Sequence, residues 1–407
     1  MTKRILFVDD EPQILAGLQH RLRRQRAKWE MSFVESGEEA LRLLVTERFD
    51  VIVTDMRMPK MDGAALLRKV QDEHPEVVRI VLSGHSELEA SLRAIPVAHQ
   101  FLTKPCEAGL LENVVERACS LQALVNDEVV RRTVGRIEKL PSMPLVYSQL
   151  MGALADERAS SADVARILKQ DMAMCAKMLQ IVNSAFFRLS RSIGKIEEAV
   201  AYLGLNTVKQ VALAVEVFAK GNAHGDLGGL SLEALQNHSL LVAGIASSMF
   251  TKKNEKEDAF VAALLHDIGK LLLAMELPDH VQRVVGTMRK DGGPMHTVEK
   301  RLCGATHAEV GAYLLGIWGL PYPMVEAVAN HHEPCRVHQT VFDLVAAVHV
   351  ADALACEQAN PVISGSERQS IDLDPCYLDK LGINDKIGPW RETAKECAGA
   401  LMTGAVA

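Results

Sequence analysis

The first 120 residues alternate short apolar runs with amphipathic segments, and this alternation narrows the possible folds more than any other feature. Five runs have strand character, in chain order RILFVD, WEMSFVE, DVIVTD, VRIVLS and QFLTK. Segments with helical spacing, such as EPQILAGLQHRLRRQ and GEEALRLLVTE, separate them. Strands that alternate with helices of this length predict an α/β architecture, a five-stranded, doubly wound parallel sheet covered by helices on both faces.

Acidic residues stand at the ends of the predicted strands. Asp9 and Asp10 follow the first strand and Asp55 follows the third, while the fourth ends in Ser83 and Lys104 comes after the fifth. Because ligands bind at the carboxyl ends of such strands, we expect these side chains to converge. Clustered carboxylates are costly unless a cation joins them, and oxygen ligands of this kind suit Mg²⁺. The pattern predicts a phosphoryl-transfer site with a carboxylate nucleophile.

The segments ILFVDDE, VIVTDMRMPKMDG, LSG and FLTKP resemble the receiver (CheY-like, flavodoxin-like) domain of two-component response regulators. The resemblance covers residues 1–120. It implies that Asp55 is the phosphoacceptor and that a histidine kinase is the partner that supplies the phosphoryl group. It also implies a Mg²⁺ ion bound directly by Asp10, by Asp55 and by the main-chain carbonyl of Arg57, with Asp9 acting partly through water.

The same resemblance assigns supporting roles to three further residues. Lys104 would pair with a phosphoryl oxygen. Ser83 and Phe101 would form a switch pair, in which the hydroxyl moves to the phosphoryl group and the ring turns inward. This movement would alter the face formed by the fourth helix, fifth strand and fifth helix of the domain, and such switching of a surface is how local charge changes reach distant partners.

From about residue 134 the strand pattern fades, and helical segments broken by Gly and Pro follow, such as SADVARILKQDMAMCAKMLQIVNSA and KEDAFVAALLHDIGKLLLAME. We therefore expect an all-α second domain. The segment at about 107–133 predicts one long helix, whose residues 121–133 would form a linker that continues the last receiver helix. The expected helical domain spans 134–352, and 353–407 would be a C-terminal helical extension.

Histidines and aspartates interrupt the apolar helical runs of this second half. The sequence LLHDIGK places His266 and Asp267 side by side in a predicted helix, with Lys270 one turn further on. A single histidine in an apolar helix is more often a hydrogen-bonded core residue than a ligand. As a set, however, imidazole and carboxylate groups suit Fe, Mn or Zn. The other members of the set are His238, His307, His331, His332 and Asp352.

The segments ILKQDMAMCAKMLQIVNSAFF, LLHDIGKLLL, HAEVGAYLLGIWGLP and AVANHHEP are similar to the HDOD family, an output domain related to HD-type metal-dependent phosphohydrolases. By that resemblance, the HD metal pattern maps onto four residues, His238, His266, Asp267 and Asp352. The additional ligands of the related HD-GYP cyclic-di-GMP phosphodiesterases map onto His307, His331 and His332, with Lys270 in contact with phosphate. The resemblance implies Fe or Mn as the metal.

Two positions depart from the HD-GYP pattern. The chain reads PCRVHQT after HHE, where that family has Gly-Tyr-Pro, and Ala234 stands where its three-metal members have Glu. Three alternatives therefore stay open for the second half. Its histidines are buried core residues without metal, or they hold a structural or sensing metal, or they form a phosphodiesterase site.

These features predict a response regulator in which phosphorylation of Asp55 controls an HDOD domain that acts by binding an unknown output partner protein or a ligand. The alternative is a phosphorylation-gated, metal-dependent phosphodiesterase for a cyclic dinucleotide or another phosphoester; a third reading is a module that binds a nucleotide without cleaving it. The receiver face would also suit a homodimer.

Composition excludes several other classes of function. The net charge of −7 and the lack of a helix-turn-helix pattern argue against direct DNA binding. There is no run of eighteen apolar residues, so we expect no contact with a membrane. Eight cysteines without a CxxC pair indicate reduced thiols, and hence a cytoplasmic protein.

Overall fold

The protein is described from a computed structural model. The description covers single residues 94, 125 and 373 and the ranges 2–83, 97–104, 108–122, 128–137, 140–142, 144–156, 158–183, 192–214, 218–220, 228–337, 341–358 and 375–402.

The N-terminal part contains five strands and four helices among its described residues. All five strands are parallel, in the order β2-β1-β3-β4-β5. The elements are β1 (Lys3–Val8), α1 (Pro12–Arg21), β2 (Trp29–Val34), α2 (Gly37–Thr46), β3 (Val51–Asp55), α3 (Gly63–Glu73), β4 (Val78–Ser83), β5 (Gln100–Thr103) and α4 (Ala108–Gln122).

The five predicted strands and the doubly wound α/β fold are confirmed. In β3, the apolar residues Val51, Ile52 and Val53 are at most 1% exposed, because the sheet is covered on both faces. Local capping helps to begin the helices that lie on it: the Ser36 hydroxyl accepts from the main-chain N–H of Glu39, and the Asp62 carboxylate accepts from that of Ala65. Because all five strands are parallel, the carboxyl ends of β1, β3 and β5 lie at one edge of the sheet.

The second part is helical, as expected, with one addition. A short parallel pair of strands, β6 (Leu140–Ser142) and β7 (Phe218–Lys220), accompanies the helices. The helices are α5 (Glu128–Gly135), α6 (Pro144–Ala155), α7 (Ser161–Leu168), α8 (Met172–Val182), α9 (Ile196–Ala214), α10 (Leu232–Ser248), α11 (Lys253–Leu265), α12 (Ile268–Glu276), α13 (Pro278–Asp291), α14 (Met295–Cys303), α15 (His307–Ile317), α16 (Tyr322–Asn330), α17 (Leu344–Gln358), α18 (Pro375–Leu381) and α19 (Asn384–Met402).

The long helix expected over 107–133 is wrong as a continuous element. Helix α4 ends at Gln122 and α5 is a separate helix, while Val125 between them is fully buried and not helical. The apolar residues on both sides of this break pack into the core, and Val130 and Val134 of α5 are buried there. Val125 and the two flanking helices are thus packed against the molecule, whereas a free linker helix would be exposed on all sides.

The C-terminal extension begins inside an element. Helix α17 runs through the expected boundary at residue 352, so its last turn belongs to the extension as we predicted it. Helix α19 then packs against both α10 and α17. Trp390 of α19 stacks on Phe342, with 5.2 Å between ring centroids. The final helix therefore supports two helices that carry His238 and Asp352.

The receiver and the helical part meet along α4 and α15, which pack directly against each other. The Arg117 guanidinium of α4 donates a hydrogen bond to the main-chain carbonyl of Leu320, just beyond α15. On the same side, the Arg79 Nη2 of β4 donates to the Gly135 carbonyl at 2.6 Å. Arg79 is 1% exposed, so this contact is part of a buried junction. No described helix is both long enough and apolar enough to cross a membrane.

Candidate functional sites in the two domains

The first site lies where β1, β3 and β5 end. The Lys104 ammonium is 2.6 Å from Asp9 Oδ2 and also pairs with Asp55 Oδ1. Asp9 and Asp55 are 1% and 7% exposed, so two carboxylates are buried side by side. Like charges at this separation repel each other unless a cation lies between them, and the ammonium group provides that positive charge. The geometry suits the reception of a phosphoryl group next to a fixed cation.

Burial and the contacts among Asp9, Asp55 and Lys104 shift the pKa values of this site. Burial raises the pKa of the Asp55 carboxyl, and the hydrogen bond from Lys104 offsets that effect only in part. Burial alone would lower the pKa of Lys104, but hydrogen bonds to Asp55 and Asp9 outweigh it and raise the pKa. Lys104 therefore stays charged at neutral pH, as neutralisation of a phosphoryl group requires.

Main-chain groups hold the two carboxylates in place. The Arg57 N–H donates to Asp55 Oδ2 at 2.8 Å, and the Glu11 N–H donates to Asp9 Oδ1 at 3.0 Å. Gly63 begins α3 directly against Asp55, since a Cβ atom at Gly63 would lie 2.2 Å from the Asp55 carbonyl oxygen. Only glycine fits such a close approach of two backbones.

The remaining residues predicted for this site are placed less closely. Asp10 is partly exposed, and among the described residues it does not join Asp9 and Asp55 in a set of three donor atoms within 4.8 Å. The structure thus brings together two of the three expected carboxylates. Phe101 is buried in β5, at 5% exposure. Ser83 is the last residue of β4, and its side chain lies outside the described part of the structure.

The second site is a buried cluster at the centre of the helical part. It contains all seven histidines and aspartates predicted from the sequence. They form two groups, and within each group the donor atoms lie within 4.8 Å of one another. The first group is formed by His238, His266 and Asp352. The second group is formed by Asp267, His307, His331 and His332.

The first group connects helix α10, the end of α11 and helix α17. His238 Nε2 lies 3.0 Å from Asp352 Oδ1, and His266 Nε2 lies 3.7 Å from the same oxygen. Asp267 joins this group to the second, because its Oδ2 lies 3.3 Å from His266 Nε2 and its Oδ1 lies 3.3 Å from His307 Nε2. The Asp267 carboxylate therefore bridges the two groups.

In the second group, the Nε2 atoms of His307 and His332 are 2.9 Å apart, and His331 Nε2 lies 3.9 Å from Asp267 Oδ1. Buried polar atoms without a hydrogen-bond partner are rare in proteins and point to an ion or a water molecule. Five such atoms belong to this cluster, namely His266 Nε2, His331 Nε2, His332 Nδ1, Asp267 Oδ1 and Asp352 Oδ2. A set of imidazole nitrogens and carboxylate oxygens that face one another fits Fe or Mn.

The carboxylates and the histidines of the cluster shift each other's pKa values. Burial favours neutral imidazole, but Asp267 and Asp352 outweigh burial and raise the pKa of His266 to about 10. Burial would raise the pKa of Asp267, but His266 and Lys270 hold that pKa well below its usual range. Burial and the positive neighbour His266 lower the pKa of His331. Metal cations would take over the role of the protons, because ligands bind in their deprotonated form.

The HD pair does not lie within a helix, which corrects the sequence-based placement. Helix α11 ends at Leu265 and α12 begins at Ile268, so His266 and Asp267 form the turn between them. The turn brings α12 against the start of α15, where a Cβ atom at Gly269 would lie 1.9 Å from the His307 carbonyl oxygen. Gly269 is therefore what allows Asp267 to approach His307.

Lys270 lies in the cluster as an ion-pair partner. Its Nζ is 2.6 Å from Asp267 Oδ2, and the residue is 7% exposed. The carboxylates Asp267 and Asp352 raise its pKa, although burial acts in the opposite direction. The contact with phosphate that the sequence predicts for Lys270 thus remains a prediction, and it would compete with the bond to Asp267.

Sequence reasoning missed two residues next to the cluster. The Glu299 carboxylate of α14 is 2.6 Å from His307 Nδ1, and the His296 ring stacks on His332 with 4.3 Å between centroids. A signal for Glu299 was available in the sequence. It follows Val298 and lies four residues after Met295, both of them buried, so that a carboxylate falls on the apolar face of an amphipathic helix.

Comparison with known proteins agrees with this two-part architecture. The model of the response regulator receiver domain matches residues 5–116, and that of the HDOD domain matches residues 140–334. An uncharacterized protein of Treponema pallidum (strain Nichols) is 22% identical over 220 residues, which cover 53% of this chain and 42% of that protein. The DNA-binding transcriptional regulator NtrC of Salmonella typhimurium is 36% identical over 126 residues, which cover 30% of this chain and 27% of that protein.

The matches thus span less than half the length of these curated relatives. Among solved structures, the MmoQ response regulator from Methylococcus capsulatus str. Bath is 19% identical, with a TM-score of 0.49, over 64% of this chain and 98% of that one. The sheet order, the site at the sheet edge, the buried cluster among the helices and the two family models lead to one conclusion. The chain joins a response regulator receiver domain to an HDOD domain.

Proposed function

We propose that the protein is a phosphorylation-controlled response regulator in which Asp55 accepts a phosphoryl group from a histidine kinase. The observation that carries this proposal is the Lys104 ammonium, which pairs with both Asp55 and Asp9 at the carboxyl edge of the sheet. The Asp55 carboxylate would attack the phosphorus of a phosphohistidine. An O–P bond forms, the P–N bond breaks, and the leaving imidazole takes up a proton.

Positioning and charge neutralisation account for most of the catalysis of such a transfer. Lys104 neutralises the incoming oxygens, and the Arg57 N–H orients the Asp55 carboxylate. Mg²⁺, which the family resemblance assigns to Asp9, Asp10, Asp55 and the Arg57 carbonyl, would neutralise further phosphoryl charge; of these carboxylates, Asp9 and Asp55 lie together in the structure, and Asp10 would have to approach them. Phosphoramidate, a small phosphoryl donor, tests the assignment in a phosphate-affinity gel with Mg²⁺ present.

We expect one slow-migrating band for the wild type, none for Asp55→Asn, and the wild-type band for Asp72→Asn. Asp72 is an exposed acid on the neighbouring helix α3 and serves as the matched control. Equal labelling of Asp55→Asn and the wild type would contradict the assignment of Asp55.

The receiver would act on the HDOD half through helix α15. One end of α15 carries His307, which faces the buried cluster. The other end is followed by Leu320, whose carbonyl accepts the bond from Arg117 of α4. Helix α4 follows β5 and is the fifth helix of the receiver resemblance, because the predicted fourth helix lies outside the described residues. It therefore belongs to the surface that is expected to change on phosphorylation. A shift of α4 would reach the cluster through one rigid element, α15.

Beryllofluoride, which mimics a phosphoryl group, provides the test of this route. The affinity of the purified protein for Mn²⁺ would be measured with and without it, in excess Mg²⁺ that occupies the receiver site, so that Mn²⁺ binding reports the buried cluster. We expect beryllofluoride to change the affinity in the wild type and in Arg158→Ala, and to change it less in Arg117→Ala. Arg158 is an exposed residue far in sequence from both sites. An identical response of Arg117→Ala and the wild type would refute the route through α15.

A second function, favoured by the seven-membered cluster, is metal-dependent hydrolysis of a phosphoester. The residues present fit two metal ions, since three donor residues lie on each side of Asp267 and the Asp267 carboxylate lies between them. His238, His266, Asp267 and Asp352 would hold one ion, and Asp267, His307, His331 and His332 the other. Bound metal ions would neutralise the phosphoester charge and acidify water. A cyclic dinucleotide is the substrate class implied by the family resemblance.

Metal analysis of the purified protein, followed by hydrolysis of bis-p-nitrophenyl phosphate and cyclic di-GMP, separates the alternatives. Hydrolysis that is lost in Asp267→Asn and kept in His280→Ala would support an enzyme. His280 is a matched histidine of the same domain that contacts Cys303 outside the cluster. Bound metal without turnover would support a structural or sensing metal. A wild-type protein that binds neither Mn²⁺ nor Fe²⁺ would leave only a metal-free output domain.

A further inference from the structure

The Glu299 carboxylate holds one histidine of the cluster from behind. Its Oε2 accepts two hydrogen bonds from the same residue, one from His307 Nδ1 at 2.6 Å and one from the His307 main-chain N–H at 2.9 Å. Glu299 is 1% exposed, so water does not weaken these bonds. The two contacts fix both the start of α15 and the rotation of the imidazole ring.

The bond to Nδ1 also decides where the imidazole proton lies. A carboxylate accepts and does not donate, so Nδ1 of His307 carries a proton whatever the charge of the ring, and Nε2 is the nitrogen left to bind a metal ion. That Nε2 lies 3.3 Å from Asp267 Oδ1 and 2.9 Å from His332 Nε2, inside the second group of donors. The ring is thus prepared as a ligand before any ion arrives.

Two other histidines of the cluster are held by neutral groups. His266 Nδ1 lies 2.6 Å from the Ala263 carbonyl, and His331 Nδ1 lies 2.8 Å from the Val328 carbonyl. A main-chain carbonyl orients a ring as a carboxylate does, but a carboxylate also raises the basicity of the free nitrogen. Glu299 therefore makes the free nitrogen of His307 more basic than that of His331 in the same group or of His266 in the first group.

We propose that Glu299 is a positioning residue that sets the tautomer and basicity of His307, and thereby the affinity of the second group (Asp267, His307, His331 and His332) for a metal ion. This inference rests on the proposed metal binding by the HDOD domain. It predicts an asymmetric effect, because His238, His266 and Asp352 make no hydrogen bond to Glu299 among those the structure describes.

A control variant is available in the same pair of helices. Lys300, the next residue of α14, pairs with Glu309 of α15 at 2.8 Å, and Glu309 also forms a capping box with Thr306. Glu309 is buried, at 6% exposure, and its bonds stabilise the same helix start without contacting the His307 ring. Glu309→Gln thus perturbs the attachment of α15, whereas Glu299→Gln perturbs the ligand.

The experiment is calorimetric titration of the full-length, chelator-treated protein with Mn²⁺ in the presence of excess Mg²⁺, which keeps the receiver site occupied so that the Mn²⁺ signal reports the buried cluster. For the wild type we expect two bound ions. For Glu299→Gln we expect one ion to bind about 10- to 100-fold more weakly and the other to bind as before, which is the usual effect of removing a partner of a ligand histidine. For Glu309→Gln we expect both affinities to match the wild type, and for His307→Ala the weakened ion should be the same as in Glu299→Gln.

The outcomes separate the two proposals. A wild type that binds no Mn²⁺ would overturn the proposed metal site and this inference together. Two ions bound equally well by the wild type and Glu299→Gln would overturn the role of Glu299 alone, as would equal weakening of both ions. Should Glu299→Gln not fold, long-range ¹H–¹⁵N spectra of the metal-free wild type report which ring nitrogens of His307 are protonated, and an Nδ1 atom without a proton would refute the inference.

Discussion

A methyl group added at Gly269 should move Asp267 away from His307 within the second group of the buried cluster. A Cβ atom at this position would lie 1.9 Å from the His307 carbonyl oxygen and 2.9 Å from the Gly311 nitrogen. Ordinary contacts begin at 3.4 Å, so α12 and α15 must move apart by about 1.5 Å. Both obstacles are main-chain atoms, which cannot rotate away as a side chain would.

The cost follows from the packing of this region. Forcing one extra methyl group into a well-packed core typically destabilises a protein by about 1–3 kcal/mol. We expect the upper part of this range for Gly269→Ala, because Ile268 and Leu271 beside it are at most 1% exposed. The same displacement moves Asp267 away from His307, so Mn²⁺ affinity should fall together with stability.

Urea unfolding and Mn²⁺ titration of the same preparations measure both effects. Gly286→Ala in α13 is the control, since a Cβ atom there meets nothing within 4 Å and the position is exposed. That change should stabilise the protein by about 1 kcal/mol through helix propensity. A Gly269→Ala protein as stable as the wild type, with unchanged Mn²⁺ binding, would refute the packing argument.

Two further predictions concern buried groups outside the cluster. Arg79→Met should destabilise the protein by about 3 kcal/mol, because the carbonyls of Val97 and Gly135, each 2.6 Å from Arg79, would lose their charged donor in the interior. Urea unfolding measures this loss of stability. A change as small as that of the exposed control Arg158→Met would contradict the prediction. Burial raises the pKa of the Cys119 thiol to about 12, so the thiol stays protonated and unreactive at pH 8. Iodoacetamide should then modify the exposed Cys335 and Cys376 of the folded protein and spare Cys119, and mass spectrometry that finds Cys119 modified as fast as they are would count against this burial.

The sequence predicted the receiver half closely, since the central strands β1, β3 and β4 consist mostly of buried apolar residues and end at, or directly before, a polar residue. Asp9, Asp55 and Lys104 could be placed together because parallel strands present their carboxyl ends at one edge of a sheet. The position of Asp10 could not be predicted in this way, because β1 ends at Val8 and Asp10 lies in a bend beyond the strand, where strand geometry does not set the direction of a side chain.

The HDOD half was harder to predict because helices can approach each other from many directions. Residue types identified the seven members of the cluster, but no spacing in the sequence indicated that Asp267 would bridge its two groups. Glu299 was missed because its partner His307 belongs to a different helix. The contact of Arg117 with the main-chain carbonyl of Leu320 joins residues about two hundred positions apart. Every residue carries such a carbonyl, so no residue type in the sequence marked Leu320 as the partner.

Helix α15 has 11 residues, which at 1.5 Å per residue gives a rod about 16 Å long. Under the proposed function, this rod joins a metal ligand, His307, at one end to the receiver at the other, and coupling of that kind acts in both directions. Thermodynamic linkage requires that the factor by which a phosphoryl mimic on Asp55 changes metal affinity equals the factor by which metal changes the binding of that mimic. The availability of iron or manganese would then set how readily the receiver holds its signal, which would make the output domain a second input.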